Sequence, residues 1–308
     1  MSHESNPPSH RQTIEKFELP HQSPVQPVQL GLDDTIQFNC HKGIACFNAC
    51  CKNIDITLTP YDVVRLSRRL GIATNEFLLK YSMHYDLDAH GMPGIKMRPR
   101  DDSPACQFVT DEGCSVYEDR PTACRYYAMG TMQLRRKDST QLEDVYFMVK
   151  EEHCLGHNEP RKLTVREYRK EQGVEKYDDM NRDWLDIIVK KRSSGPTVGA
   201  PSARSFQLFA LASYDLDAFR EFVQSTSFQQ MFDLAPDYSA TLTRDDEELL
   251  RFAARFIKQV MFGERSIPLR EGAATQRYEQ RRELIERKHR EDIERYRLRD
   301  PQEGGEDA

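Results

Sequence analysis

The sequence predicts an α+β fold: a small cysteine-rich domain with short antiparallel strands and helices, followed by a mainly helical C-terminal region. All eight cysteines lie between residues 40 and 154, where short apolar segments alternate with turn residues. Beyond residue 164, apolar residues recur at helical spacing. A chain of 308 residues with 38% hydrophobic residues can bury a substantial core and has room for two domains.

Changes in composition divide the chain into four parts. Residues 1–30 are rich in Pro, Ser, His and Gln without periodicity, which predicts a flexible N-terminal arm. Residues 31–160 then form the cysteine-cluster domain, and residues 161–270 form a helical region. Residues 271–308 carry closely spaced charges of both signs, as expected for a solvated helical tail.

The start of the cysteine-rich half contains signals for a short strand and two helices. Residues 54–59 alternate loosely as a strand. Thr59 can cap the helix that follows, with Pro60 at its first position and Gly71 at its end. A second short helix is expected from Thr74 or Asn75 through Tyr81.

The rest of this half is predicted to contain two antiparallel pairs. Strands 107–109 and 114–117 would form a hairpin whose four-residue turn ends at Gly113, where a positive φ is expected. That hairpin would bring Cys106 and Cys114 close together. Strands 126–134 and 144–149 would form the second pair, across a polar connection at residues 135–141.

The C-terminal half has helical periodicity and turn signals. Thr164 and Glu167 fit a capping box, and residues 193–205 resemble a linker. The expected helices span residues 177–191, 214–223, 228–232 and 244–262. In the tail, Glu283 with Arg287 and Glu291 with Arg295 have the spacing of stabilising pairs.

The cysteines are the main indication of function. No export signal is visible, so a set of thiols this dense favours metal binding over disulfides and predicts a reducing, cytoplasmic location. The expected metal ligands are Cys40, Cys46, Cys50, Cys51, Cys106, Cys114, Cys124 and Cys154. Adjacent side chains point apart on an extended backbone, so Cys50 and Cys51 could serve two metals or two irons of one cluster. His153 or His157 could replace a thiolate.

Other features narrow the class of protein. A net charge of −6 argues against nonspecific nucleic-acid binding, and no apolar segment is long enough to span a bilayer. Neither a glycine-rich nucleotide fingerprint nor a Cys-x3-Cys-x2-Cys radical motif is present. The helical C-terminal half is expected to contact a protein partner.

The segment that begins at Cys114 carries a family resemblance. Tyr117, Arg120, Pro121 and Cys124-Arg125 follow Cys114 in a Cys-x-x-Tyr-x-x-Arg-Pro-x-x-Cys-Arg pattern. With the Cys50-Cys51 pair, it resembles bacterial cysteine-cluster proteins of the CxxCxxCC type, described as zinc- or iron-chelating domains. The resemblance covers about residues 37–154. The opening spacing, Cys40-x5-Cys46-x3-Cys50-Cys51, departs from the compact start of that family.

The resemblance implies an iron-sulfur cluster or iron as cofactor, alternatively zinc. Arg120 and Arg125 could balance thiolate charge, and Tyr117 could lie beside the cofactor; surface ion pairs and simple aromatic packing are the alternatives. Eight thiols exceed the need of one structural zinc, which favours iron in a redox or electron-transfer role. A zinc-stabilised interaction module, a metal-dependent protein-modifying enzyme similar to a flagellin lysine methylase, and a disulfide-stapled secreted protein remain alternatives.

Overall fold

A computed structural model describes residue 25 and residues 28–88, 91–135, 142–193 and 201–299. The predicted α+β class is confirmed: short paired strands lie in the first half, and helices dominate the second. Most of the predicted arm, of the 135–141 connection and of the 193–205 linker lies outside the described residues. No described helix is long and apolar enough to cross a bilayer.

The chain divides into two compact units. The first takes its described residues from Met1–Ile72, Glu76–Leu87 and Gly94–Arg182, and the second takes them from Ala73–Asn75, Asp88–Pro93 and Asp183–Ala308. All eight cysteines belong to the first unit, which we call the cysteine unit. The second is called the helical unit. The three boundaries between the four parts expected from composition remain predictions.

The elements of the first half are short. In chain order they are β1 Thr35–Gln37, α1 Pro60–Leu70, α2 Thr74–Tyr81, β2 Ser82–Asp86, β3 Pro93–Met97, β4 Val109–Thr110, β5 Gly113–Cys114, α3 Thr122–Tyr126, β6 Met129–Arg135, β7 Leu142–Met148, β8 Lys162–Thr164, α4 Val165–Gln172 and α5 Val174–Ser193. The strands pair as β1 with β8, β2 with β3, β4 with β5 and β6 with β7. Short 3-10 helices span Ala49–Cys51, Tyr117–Asp119 and Leu155–Asn158.

Two helix starts follow the local signals. Thr59 and Asp62 form a capping box at α1, which ends at Gly71 in the left-handed conformation, with φ at 67°. Thr164 and Glu167 form the predicted box at α4. Helix α2 begins at Thr74, within the predicted start.

Two predicted strands in the cysteine unit are partly wrong. Residues 54–59 form only one isolated bridge, between Thr57 and Lys96, instead of a strand. The expected strand 126–134 begins at Met129, because Tyr126 still belongs to α3. Pro121 therefore precedes a helix and does not end a strand.

The predicted hairpin exists but is shorter than expected. Val109 faces Cys114 and Thr110 faces Gly113, so the turn has two residues instead of four. Gly113 has a φ of 122°, in agreement with the expected positive value. The amide of Ser115 extends the pairing by donating to the carbonyl of Phe108 over 2.9 Å.

A hydrophobic core underlies the cysteine-bearing loops. It joins β1, α3, β6, β7, β8 and α4 through side chains from each of them. Its buried members are Ile36, Phe38, Tyr126, Ala128, Met129, Tyr146, Met148, Leu163, Val165, Tyr168 and Val174, and the partly buried Cys154 packs against them. One of the eight cysteines is thus attached directly to a rigid core.

The helical unit was predicted only in part. Its elements are α6 Ala203–Tyr214, α7 Leu216–Gln224, α8 Thr226–Met231, α9 Pro236–Arg244, α10 Asp246–Phe262 and α11 Ala273–Arg299. The sequence did not predict α6 or α9, and the predicted helix 214–223 is α7, which begins at Leu216. The core of this unit contains four buried phenylalanines, Phe219, Phe228, Phe252 and Phe256. The ring centroids of Phe219 and Phe228 each lie within 6.3 Å of those of Phe252 and Phe256.

The charged tail is helical along α11. Its described ion pairs join Arg282 to Glu286 and Arg287 to Glu291. In each of them Arg precedes Glu by four residues, whereas in the predicted pairs Glu precedes Arg. The side chains of Glu283 and Arg295 lie outside the described part of the chain.

Candidate metal centre

The first burst of cysteines lies on a chain of turns that packs against the β4–β5 hairpin. Asn48 adopts the left-handed conformation, with φ at 65°, and its side-chain amide donates to the carbonyl of Thr110 over 3.1 Å. Lys42 reaches Glu112 at the hairpin tip over 3.0 Å. These contacts bring Cys46, Cys50 and Cys51 close to the hairpin despite about 60 intervening residues.

Cys50 and Cys51 lie between two sets of thiols. Their sulfurs are 3.9 Å apart. The hydrogen bond between them lowers the pKa of Cys50 and raises that of Cys51, so Cys50 is the first of the pair to become a thiolate. We group the thiols into two overlapping sets; Cys50 acts on members of both, because it adds to the increase in the pKa of Cys40 and also of Cys114 and Cys124.

The first set, which we call the outer quartet, consists of Cys40, Cys46, Cys50 and Cys154. The amide of Leu155 donates to the sulfur of Cys46 over 3.2 Å, which places Cys46 beside Cys154. The amide of Asn39 donates to the carbonyl of Gly156 over 3.0 Å, which brings Cys40 to the same turn. Burial raises the pKa of Cys40 to about 11, with further contributions from the other three thiols.

The second set, the inner quartet, consists of Cys51, Cys106, Cys114 and Cys124. The amide of Cys106 donates to the carbonyl of Cys51 over 2.8 Å. The hairpin places Cys114 opposite Val109, whose amide donates to the carbonyl of Cys106 over 3.3 Å. The amide of Phe108 donates to the sulfur of Cys106 over 3.4 Å.

Cys124 joins the inner quartet from helix α3. Burial raises its pKa, and the thiols of Cys106 and Cys114 raise it further. Thr122 fixes the start of this helix, because its amide and hydroxyl both donate to Asp62, over 2.8 and 2.7 Å. Cys114 also lies close enough to Cys106 to affect its pKa, as expected. Burial raises the pKa of Cys106, and Cys114 adds to that increase.

The donor chemistry of this region fits a thiophilic metal. All eight cysteines are free, and thiolates are ligands of zinc, iron and iron-sulfur clusters. Among the described residues, however, no three Cys, His, Asp or Glu side chains are arranged to hold one ion. The side chains of either set would therefore have to move closer together to hold a metal.

Arg120 and Tyr117 lie beside the inner quartet. Tyr117 belongs to a 3-10 helix, not to the strand that was expected, and its ring is 53% exposed. The Arg120 guanidinium lies 3.9 Å from the centre of that ring and donates to Gln172 over 2.7 Å. Burial raises the pKa of Cys114, and the positive charge of Arg120 opposes that increase.

Arg125 makes mainly structural contacts. It is buried, lies 4.1 Å from the centre of the Tyr177 ring, and donates to the carbonyls of Glu118, Arg120 and Gln172. Its guanidinium thus ties the loop before α3 to the end of α4. A role in cofactor binding remains a prediction for Arg120, Arg125 and Tyr117.

A polar cluster beside Cys154 escaped the sequence analysis. Tyr127 Oη and His153 Nε2 lie 3.1 Å apart, and His153 lies 3.6 Å from Glu151. Burial raises the pKa of Cys154, whereas a hydrogen bond from Tyr127 lowers it. A tyrosine 27 positions before a cysteine is no local signal, so only the fold reveals this contact.

The contacts of His157 are those of a packed side chain and do not favour it as a metal ligand. Its Nε2 donates to the carbonyl of Val149 over 3.1 Å, and its ring packs 5.2 Å from that of Phe38. The other ring nitrogen, Nδ1, is buried and has no hydrogen-bond partner among the described residues. Burial lowers the pKa of His157, so the fold favours its neutral form.

Eight free thiols in one α+β unit define a cysteine-cluster domain. Residues 39–155 match the model of the CxxCxxCC family, described as a "putative zinc- or iron-chelating domain". The predicted resemblance is confirmed. No curated protein and no solved structure matches the chain.

Proposed function

We propose that the cysteine-cluster domain binds metal through its two quartets, and that the metal is iron, as the ion or in an iron-sulfur cluster, with a redox or electron-transfer role. The observation that carries the proposal is the presence of eight free thiols in one compact unit, with the sulfurs of Cys50 and Cys51 only 3.9 Å apart. The zinc- or iron-chelating description of the matched family supports the same chemistry.

Electrostatics favour a cation at this place. Each thiol in the outer quartet raises the pKa of Cys40 beyond the effect of burial, so gathering four thiolates without a counter-charge is unfavourable. A bound divalent or trivalent ion would reverse this effect and draw the four sulfurs inward. Arg120 offers a smaller compensation near Cys114.

Two backbone amides support thiolate ligation in this region. The amides of Leu155 and Phe108 donate to sulfur, one in each quartet. Hydrogen bonds to the ligand sulfurs help set the reduction potential of an iron-sulfur cluster. Eight thiols also exceed the four that one structural zinc needs.

Purification without oxygen tests the proposal directly. A brown protein, visible absorption that dithionite bleaches, and iron by elemental analysis are the expected results. The double variant C114S/C124S should lose iron. Its matched control replaces the exposed Ser115, which is not a cysteine, by Ala. A colourless protein with stoichiometric zinc would overturn the iron assignment in favour of a zinc-stabilised module, and a protein without either metal would overturn chelation itself.

The proposal extends to location and partners. Reduced thiols require a reducing compartment, so a cytoplasmic protein is proposed. A protein partner is proposed for the helical half, where Tyr278 and Ile293 on α11 are 54% and 42% exposed. The acidic net charge of −6 supports the expectation that this partner is not a nucleic acid.

A further inference from the structure

We infer that Cys50 and Cys51 form a redox modification site for hydroperoxides, at which the two thiols are converted reversibly into a disulfide between adjacent residues. The site is defined by the contact of the two sulfurs and by the exposure of Cys50. The disulfide itself is independent of the proposed function, whereas its consequence for metal binding rests on that function.

Exposure selects Cys50 as a thiol that a peroxide can reach. All eight cysteines lie in the described part of the chain, and only Cys40 and Cys50 are exposed. Access to solvent is one condition for oxidation of a thiol, and a second thiol nearby turns the oxidised sulfur into a disulfide. Cys50 meets both conditions, because its sulfur lies 3.9 Å from that of Cys51.

Adjacency in the chain keeps this pair of thiols together. The hydrogen bond that holds Cys46 beside the turn after Cys154 spans 109 residues and is lost when the chain opens locally. Cys50 and Cys51, in contrast, stay neighbours in every conformation. They lie in the 3-10 turn Ala49–Cys51, which contains no buried residue, so the turn can rearrange without disturbing a core.

The reaction balances with a hydroperoxide as the oxidant. The Cys50 sulfur attacks the terminal peroxide oxygen, the O–O bond breaks, and a sulfenic acid forms, while the other oxygen leaves with the thiol proton as water or an alcohol. The Cys51 sulfur then attacks the Cys50 sulfur, so the S–S bond forms and the hydroxyl group leaves as water with the Cys51 proton. The two thiols lose two hydrogens and two electrons, which reduce the peroxide.

The short distance between adjacent residues makes this disulfide easy to reduce. Adjacent Cα atoms are about 3.8 Å apart, below the roughly 4.4 Å at which disulfides are ordinarily found, and such a departure makes the bond more reducible. A low-molecular-weight thiol in excess therefore returns both residues to the reduced state by exchange. Disulfides that form and break in this way are the kind that act as redox sensors in reducing compartments.

Oxidation of the pair also acts on the proposed metal centre. The disulfide removes two of the eight thiols that are proposed as ligands. The backbone at Cys51 must adjust as well, and its carbonyl accepts from the amide of Cys106 over 2.8 Å. We therefore expect the oxidised chain to lose its metal uptake and the reduced chain to regain it.

Mass spectrometry of the metal-free, reduced full chain tests the inference. The chain is treated with an equimolar amount of hydrogen peroxide, the remaining thiols are alkylated with iodoacetamide, and the protein is digested with trypsin. The tryptic peptide 43–52 carries Cys46 besides the pair, so it distinguishes the possible products. We expect alkylation of Cys46, and loss of both alkylations at Cys50 and Cys51, which become lighter by two hydrogens. Dithiothreitol before alkylation should restore both.

Two variants separate the roles of the thiols. Cys51→Ser removes the second thiol, so Cys50 should stop at the sulfenic acid, which dimedone traps. The matched control is Cys40→Ser, which removes the other exposed thiol and should leave the disulfide unchanged. Because either variant could alter folding, the product formed in the unmodified chain is the decisive measurement.

The possible results are distinct. The inference is overturned by a disulfide from Cys50 to any cysteine other than Cys51, including one in a second chain, by sulfinic acid at Cys50 without a disulfide, or by full alkylation of both residues after oxidation. Equal metal uptake by the oxidised and reduced chains would overturn the link to metal binding. A reduced chain that takes up neither zinc nor iron would overturn the proposed function, and the disulfide, measured without metal, would still decide the inference.

Discussion

At the scale of single residues, Asp62 connects two parts of the cysteine unit that are far apart in sequence. One carboxylate oxygen accepts from the amide of Thr59 over 2.9 Å and so caps α1. The other accepts from the amide and hydroxyl of Thr122 at the start of α3. Asp62 is fully buried, and burial raises its pKa while these hydrogen bonds oppose the rise. The position of Cys124 therefore depends on a residue outside the cysteine pattern.

We expect Asp62→Ala to lower the free energy of unfolding by about 2 kcal/mol, because it leaves the half-buried amides of Thr59 and Thr122 without their acceptor. Urea denaturation measures the change. Asp55→Ala is the matched control: that carboxylate pairs with Lys96 but is 78% exposed, so the expected loss is below about 1 kcal/mol. Equal losses in the two variants would contradict the structural role of Asp62.

His157 leads to a prediction about pH. Burial lowers its pKa, so between its folded value and the unfolded value of about 6.5 the unfolded chain binds a proton that the folded chain does not. Stability should therefore fall as the pH drops through about 6.5, and His157 should have no effect above that range. Urea denaturation of wild type and His157→Gln at pH 7.5 and 5.5 isolates the effect. The exposed His84→Gln serves as control, and the same pH dependence in both variants would contradict the prediction.

At the scale of elements, helices with local caps could be predicted and helices with distant caps could not. Helices α1 and α4 carry their own capping boxes, and both starts were predicted correctly. Helix α3 has five residues, and the acceptor for its first amide is Asp62, 60 positions earlier. No local pattern contains that information, so α3 was not predicted, and its last residue, Tyr126, was assigned to the strand that follows. The grouping of the cysteines was unpredictable for the same reason, although their number already indicated metal.

Gly156 holds the turn after Cys154 against the segment before Cys40. A Cβ at this position would lie 2.7 Å from the Phe38 ring and 3.0 Å from the carbonyl of Asn39. We expect Gly156→Ala to destabilise the cysteine unit by about 1–3 kcal/mol and to weaken metal binding by the outer quartet, because the turn must move. Denaturation and metal titration measure the two effects.

Gly130→Ala is the control for that variant. The nearest atom to a Cβ at Gly130 is a Val149 methyl at 3.5 Å, an ordinary contact, so stability should change little. Normal metal binding by Gly156→Ala would separate the turn from the metal centre and contradict the prediction.

At the scale of the whole molecule, the two compact units carry different spectroscopic signals. The single tryptophan of the chain, Trp184, lies in the helical unit, is only 8% exposed, and donates to the hydroxyl of Ser213 over 3.2 Å. All eight cysteines lie in the other unit. Tryptophan fluorescence therefore reports on the surroundings of Trp184 in the helical unit.

We expect metal removal to destabilise the cysteine unit without changing the tryptophan signal, because metal binding stabilises only the unit that contains the ligands. Chelator treatment should speed proteolysis within residues 31–160, as mapped by mass spectrometry. The urea midpoint from tryptophan fluorescence should stay constant. A parallel shift of that midpoint would show that the two units unfold together.

The division of the cysteines also has a consequence for biosynthesis. The inner quartet spans Cys51 to Cys124, and the outer quartet encloses it, from Cys40 to Cys154. If the two sets bind metal as proposed, the inner set is complete during translation 30 residues before Cys154 is made. A nascent chain therefore presents the four inner thiols together before Cys154 completes the outer set.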